Sequence, residues 1–341
     1  MRLKYLAAVG ALAFSVTPAL AEDVLHIYNW TGYISQPMLD KFTKETGIKT
    51  SVDTFDTNET LLSKLRAGSS GYDITIPSTD FITIMIKEKL IQPVNISTLP
   101  GYENVDDKWK KTEWDPGNVY SIPWHWGISS FVVDTAIYKG PTDSLKLLFD
   151  PPDELKGKIG MMASPTEVIS LALRYLDKPP CNNNSDDLKA VDALLQKQKP
   201  FVKTYDSSGM ADRLASGEAA MVHVANGEGM NARFQRASLK FVFAKEGGVA
   251  WVDNVVVPAS AARPDLAKKF ISFIMDPKNA AMEQEAIGYP TSVKGTQPFL
   301  PEKVAKAPEL QPPEGYKTVV NPTCPEEVIK KYDLIWTKLR Q

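Results

Sequence analysis

Trp251 and Asp253 stand two residues apart in the run K-E-G-G-V-A-W-V-D that ends at Asp253. Side chains two apart on a strand share a face, so this spacing sets an indole beside a carboxylate. A protonated amine suits that pair. The carboxylate accepts charge-assisted hydrogen bonds, and an indole face attracts a cation by about 0.5–2 kcal/mol. A second aromatic group follows the alternating run Leu25 to Asn29. Trp30, Thr31 and Tyr33 therefore fall at a strand's carboxyl end, where open α/β sheets bind ligands, and Trp30 could cover a ligand's methylene chain. Ser78, in Pro77-Ser78-Thr79-Asp80, closes another strand at the same edge. Glu167 and Glu228 are candidates for a second amine end. Both also have plainer uses: an acid at a helix start complements the dipole, and Glu228 after a strand reads as a solvated loop residue.

Other chemistries leave fainter marks. Arg213 and Arg233 are possible partners for a ligand carboxylate, since guanidinium binds carboxylates bidentately. They keep open a zwitterionic ω-amino acid such as 4-aminobutyrate as the alternative ligand, although such arginines are more often solvated. The three histidines, His26, His125 and His223, lack a metal-ligand spacing, and no G-x-S-x-G elbow occurs. His125, between Trp124 and Trp126, is the one candidate acid for a secreted hydrolase, with a packed or hinge-side histidine the more ordinary reading. No metal, cofactor or catalytic group is expected.

The elements that must position these residues alternate. A strand ending at Trp30 feeds a helix over about Pro37 to Thr46, with Ser35 as its cap and Met38, Leu39 and Phe42 on its buried face. Ile48 to Phe55 reads as a second strand. Thr57 caps a helix carrying Leu61, Leu62 and Leu65, and Tyr72 to Ile76 is a third strand closed by Pro77. This βαβαβ order predicts a parallel sheet with right-handed crossovers. Pro123 to Gly127 reads as the first crossing into a second α/β lobe, which holds a strand at Lys158 to Met162 and a helix from Ser164 to about Leu176. A helix over Ala211 to Ala215 and a buried strand over Ala220 to Ala225 follow, the strand ending in Asn226-Gly227-Glu228-Gly229. Phe241 to Lys245 and Val249 to Val257 are predicted as a hairpin-like pair around Gly247-Gly248. Helices at Asp265 to Met275 and Pro325 to Leu339 close the chain, and Asn254 to Pro258 is the candidate second crossing.

The first 21 residues read as a cleaved secretory signal: Arg2 and Lys4, an apolar run from Tyr5 to Val16, then small residues up to Ala21. Export to the periplasm is the expectation. Of the 341 residues the remainder suits two domains. The net charge of −2 drops by two more once the signal is gone, which argues against a nucleic-acid partner. No later run is apolar over the roughly 18 residues that a membrane span needs. In an oxidising compartment Cys181 and Cys324, flanked by turn formers, are expected to form one intramolecular disulfide.

Six stretches, taken in order, resemble the polyamine-binding proteins, the periplasmic receptors of ABC importers for putrescine and spermidine. They are Leu25 to Gly32, Phe42 to Gly47, Leu65 to Gly71, Tyr72 to Ser78, Ile122 to Gly127 and Lys245 to Asp253. The resemblance implies an α/β two-lobed periplasmic binding protein fold of type II, with ligand held in an interlobe cleft and a hinge that closes over it. On this basis 22–127 and 257–305 form the first lobe, and 128–256 and 306–341 the second. It implies ligand contacts at Trp30, Thr31, Tyr33, Ser78, Glu167, Trp251, Asp253 and Tyr289. In place of a family tryptophan the chain has Ala225, and in place of the putrescine binders' aspartate it has Glu228. The implied partners are a small linear amine and an inner-membrane ABC permease, and the protein is expected to be a monomer.

Overall fold

The computed structural model describes residues 23–68, 71–320, 322 and 324–341. The expected signal, 1–21, lies outside the described residues. The strands β1 (Val24–Trp30), β2 (Lys49–Phe55) and β3 (Ile74–Thr75) run parallel in the order β2-β1-β3, joined by α1 (Gln36–Thr46) and α2 (Asn58–Arg66). Local chemistry sets the boundaries. Ser35 caps α1 by accepting from the Met38 N–H, and Gly47 stops it in the left-handed region at φ 74°. Thr57 caps α2 by accepting from the Thr60 N–H. β3 is shorter than the predicted Tyr72–Ile76 strand. Its start is held instead by the Asp73 carboxylate, which accepts from the N–H groups of His26 and Arg263, and Pro77 beyond it has no donor to offer.

A helix that the sequence reading passed over, α3 (Thr79–Lys87), follows at once. Then β4 (Ser121–Asp134) runs 14 residues without a break in the sheet, apart from a bulge between Pro123 and His125. Next come α4 (Lys146–Phe149), β5 (Ile159–Met161), α5 (Pro165–Tyr175), α6 (Ser185–Gln198), β6 (Val202–Tyr205), α7 (Met210–Ser216), β7 (Met221–Ala225), α8 (Asn226–Gln235), β8 (Leu239–Val242) and β9 (Gly248–Val256). The chain ends with α9 (Pro264–Ile274), α10 (Pro277–Ile287), α11 (Glu302–Ala305), β10 (Thr318–Val320) and α12 (Glu326–Arg340).

One sheet holds the strands in the order β2-β1-β3-β9-β4-β7-β5-β6, with β8 beside β4 and β10 beside β9. The first half of β4 pairs with β9, and its second half with β7 and β8. A single pair, Thr75 with Val256, joins β3 to β9. The predicted hairpin is therefore corrected. β8 and β9 both run antiparallel to β4, one after the other along the same edge, and Gly247-Gly248 links two collinear strands.

Two apolar cores flank the β4–β9 ribbon. Leu25, Ile27, Phe42, Ile74, Ile122 and Phe270 lie in one, and Phe131, Leu148, Ile159, Leu171, Met221 and Tyr332 in the other. Burying each such side chain contributes about 1.5–3 kcal/mol, so each side of the ribbon can hold itself together. The molecule is two-lobed. A disulfide joins Cys181 to Cys324 and fixes the approach to α12 against the second core. No described helix is long and apolar enough to cross a membrane.

Candidate functional site

A cavity of about 240 Å³ lies where the carboxyl end of β1, the middle of β9 and the first turns of several helices meet. That volume is just below the roughly 300–1,000 Å³ of pockets for drug-sized ligands, which points to a small guest. Trp30, Tyr33, Ser78, Glu167, Glu228, Trp251, Asp253 and Tyr289 all line it. Thr31 does not. Its side chain is exposed and its hydroxyl donates to Asp56 at 3.0 Å, so it reaches the wall through that acid.

The aromatic side is built by close approach. In β4, Gly127 faces Trp251, and a Cβ there would sit 2.4 Å from the indole. Tyr289 lies against Gly227, where a Cβ would come within 2.5 Å of the ring. Both glycines are needed to seat those rings. Trp251 and Tyr289 meet edge to face at 4.9 Å, with Tyr33 at 5.6 Å from Tyr289 and 6.2 Å from Trp251. Trp30 is held by its indole N–H, which donates to the Ile76 carbonyl at 2.8 Å.

The polar side consists of acids. Helix starts usually attract anions, because their N–H groups and dipoles point outward. Four of the helix starts at this cavity put a first-turn carboxylate into its wall: Glu59 in α2, Asp80 in α3, Glu167 in α5 and Glu228 in α8. With Asp56 and Asp253 that makes six acids in the wall, and no lysine or arginine lines it among the described residues. Sites meant for anions are thereby turned into sites for cations.

Their electrostatics agree. Burial pushes Asp253 up to about 6, while the Ser78 and Tyr33 hydroxyls hold it back; Ser78 Oγ donates to Oδ1 at 2.6 Å. Burial raises Glu228 to about 7 against the pull of the Ala225 backbone and the Tyr289 hydroxyl. Glu167 also rises to about 7, through burial and the Asp253 charge, with Ser129 opposing. Asp80 reaches about 8, through burial and then the charges of Glu167, Glu59 and Asp253. Acids raised by burial and by one another have their charged forms restored by a cation.

The remaining candidates fall elsewhere. Arg213 donates to Asp206 at 2.5 Å, and Arg233 grips the buried Glu309 through two nitrogens, Nη2 at 2.9 Å from Oε2. Neither lines the cavity. His125 is fully buried, edge to face with Tyr33 at 5.6 Å, and burial drops it to about 3, so it is a neutral packing residue. Glu228 is no loop residue: the segment read as a turn is the start of α8. Asp56, Glu59 and Asp80 were missed as wall residues. Their only signal in the sequence was an acid one or two positions from a helix cap.

Fold and site together define a two-lobed α/β binding protein with a small acidic and aromatic cavity between its lobes. The profile of the bacterial extracellular solute-binding proteins matches residues 37–312, and the chain belongs to that family. It is 35% identical to the spermidine/putrescine-binding periplasmic protein of Escherichia coli over 91% of this chain and 89% of that one. It is 32% identical to the putrescine-binding periplasmic protein SpuD of Pseudomonas aeruginosa, over 97% and 95% of the two chains. A putative spermidine/putrescine ABC transporter structure from Listeria monocytogenes superposes with a TM-score of 0.88 at 30% identity, covering 94% of this chain and 99% of that one. These neighbours have the type II periplasmic binding fold. A GABA receptor structure shares the fold alone, with a TM-score of 0.72 at 20% identity, covering 93% and 97%. Family and relatives are substrate-binding transport proteins, so the hydrolase alternative is set aside.

Proposed function

We propose that this protein binds a small linear polycation such as putrescine or spermidine and delivers it to the permease of an ABC importer. The observation that carries this reading is the cavity wall: six acids, five aromatic side chains, and no basic side chain among the described residues. An ω-amino acid would need a cation for its carboxylate, and Arg213 and Arg233 are both committed to acids outside the cavity. One ammonium sits at Asp253, with Ser78 and Tyr33 behind it and Trp251 and Tyr289 offering ring faces. Glu228, close like Asp253 to the Tyr289 hydroxyl, adds charge at this end, and Glu167 offers its carboxylate to the second ammonium.

The lobes are 22–127 with 257–305, and 128–256 with 306–341, the two apolar cores supporting that division. Closure is then a bend of the β4–β9 ribbon, favoured by a ligand that touches both sides. The protein acts as a periplasmic monomer after loss of residues 1–21. A thermal-shift panel tests the ligand class, because a ligand of the folded state raises stability with concentration. Putrescine or spermidine should raise the melting temperature, and 4-aminobutyrate, sugars and phosphate should not. Stabilisation by any of the latter three, with none from the amines, would sink the reading.

A further inference from the structure

Asp80 is one of the six wall acids but has been given no ligand contact so far, and its position is distinctive. It opens α3, whose Phe81, Ile82 and Met85 pack with Leu61 and Leu62 of α2. Glu167 opens α5, whose Val168, Ile169 and Leu171 belong to the core on the other side of the ribbon. Two carboxylates on elements from opposite lobes thus line one cavity, and among charged neighbours Glu167 acts most strongly on Asp80. Their charged forms repel each other unless a cation lies between them.

The shape of that cation follows from its donors. An ammonium is a compact charge with three rotatable donors, which one carboxylate and a ring face satisfy. A guanidinium is planar, with five donors in a fixed fork, and can offer paired N–H groups to two carboxylates at once. Asp80 and Glu167 supply two acceptor groups from two sides. The other end has Glu228 and Asp253 close to the Tyr289 hydroxyl, with ring faces that suit a compact ammonium.

We propose that Asp80 and Glu167 grip a guanidinium between the lobes, and that the preferred ligand is an ω-guanidino alkylamine with its amino end toward Glu228. The inference rests on the cationic-ligand reading and narrows it. In this arrangement Asp80 is the residue that sets the preference between a guanidinium and an ammonium.

Agmatine and putrescine make the test, since both carry two positive charges on a four-carbon chain. Calorimetric titration of the wild-type protein should show agmatine binding tighter by about tenfold or more, the worth of one added charge-assisted contact. In Asp80→Asn, which keeps the shape at the helix start, both affinities should fall and the agmatine-to-putrescine ratio should shrink by about tenfold. Asp80→Ser, another residue suited to a helix start, serves if the asparagine variant does not fold. A wild-type preference for putrescine overturns the inference while leaving the cationic reading intact. So does an unchanged ratio in the variant. Tighter binding of spermidine than of either, lost selectively in Asp80→Asn, also overturns it by assigning this end to a second ammonium. Binding of none of these amines defeats the cationic reading itself.

Discussion

Asp253→Asn separates a ligand-binding acid from a structural one, because the two roles predict changes of opposite sign. The substitution keeps the side-chain shape and leaves an oxygen to accept from Ser78 Oγ, now 2.6 Å away. It removes the charge. Truncating one partner of a buried charge pair costs about 2–5 kcal/mol, so putrescine should bind at least about thirtyfold more weakly. The ligand-free protein should respond the other way. Asp253 is raised from 3.8 to about 6 by burial, so at pH 7.5 it is ionised where the fold disfavours the charge. Each pKa unit corresponds to about 1.4 kcal/mol, and a neutral asparagine should stabilise the ligand-free fold by about 1–3 kcal/mol, a rise of a few degrees in melting temperature. Calorimetry gives the affinity and differential scanning the stability. A variant that melts lower and binds putrescine as tightly as wild type would show that Asp253 is structural and that the cation pole is misplaced.

Stability without ligand should fall as pH rises from about 4 to 8. Acids with raised folded values keep protons that the unfolded chain has lost, so the unfolded state is favoured through that interval; Asp253 at about 6, Glu167 and Glu228 at about 7 and Asp80 at about 8 define it. The melting shift produced by putrescine should grow over the same range, since its ammoniums stay charged to about pH 10, and a shift constant from pH 5 to 8 would count against the acids. Gly227→Ala places a Cβ 2.5 Å from the Tyr289 ring and should weaken both stability and putrescine binding; a fully active, equally stable variant would mean that Tyr289 can move aside. Thiol titration of unfolded, unreduced protein should find no free thiol. Reducing the Cys181–Cys324 bond, which spans 143 residues, should lower stability by up to about 5 kcal/mol, and an unchanged melting temperature would contradict this.

The first lobe was largely legible because its signals are local. Ser35, Thr57 and Gly47 mark helix ends by backbone chemistry that any sequence shows, and Leu25, Ile27, Met38 and Phe42 carry the strand and helix periods. What depended on distant partners was hidden. The pairing of β8 and β9 is decided by β4, more than a hundred residues earlier, and the Gly247-Gly248 turn signal suggested the wrong neighbour. α8 begins with Asn226-Gly227-Glu228-Gly229, whose two glycines are poor helix formers; Gly227 leaves room for Tyr289, and Gly229 for Val132 and Phe241. α3 was overlooked because Ile82, Thr83, Ile84 and Ile86 read as strand as readily as helix. Of the residues that line the cavity, Trp30, Tyr33, Trp251 and Asp253 stood out by type and spacing, and Tyr289 only through the family resemblance. The extra acids were missed because an acid in a helix's first turn looks the same whether it serves the dipole or a ligand; only the convergence of four such turns on one cavity tells them apart.

Calorimetric titration of the wild-type protein at pH 7.5, with putrescine in one experiment and 4-aminobutyrate in the other, tests the central claim most directly. The two ligands share a four-carbon spacing between their charged ends and differ at one end, ammonium against carboxylate. A cavity walled by acids, with no basic side chain among the described residues, predicts saturable one-to-one binding of putrescine and no measurable heat from 4-aminobutyrate. Saturable binding of 4-aminobutyrate with none of putrescine would contradict the account.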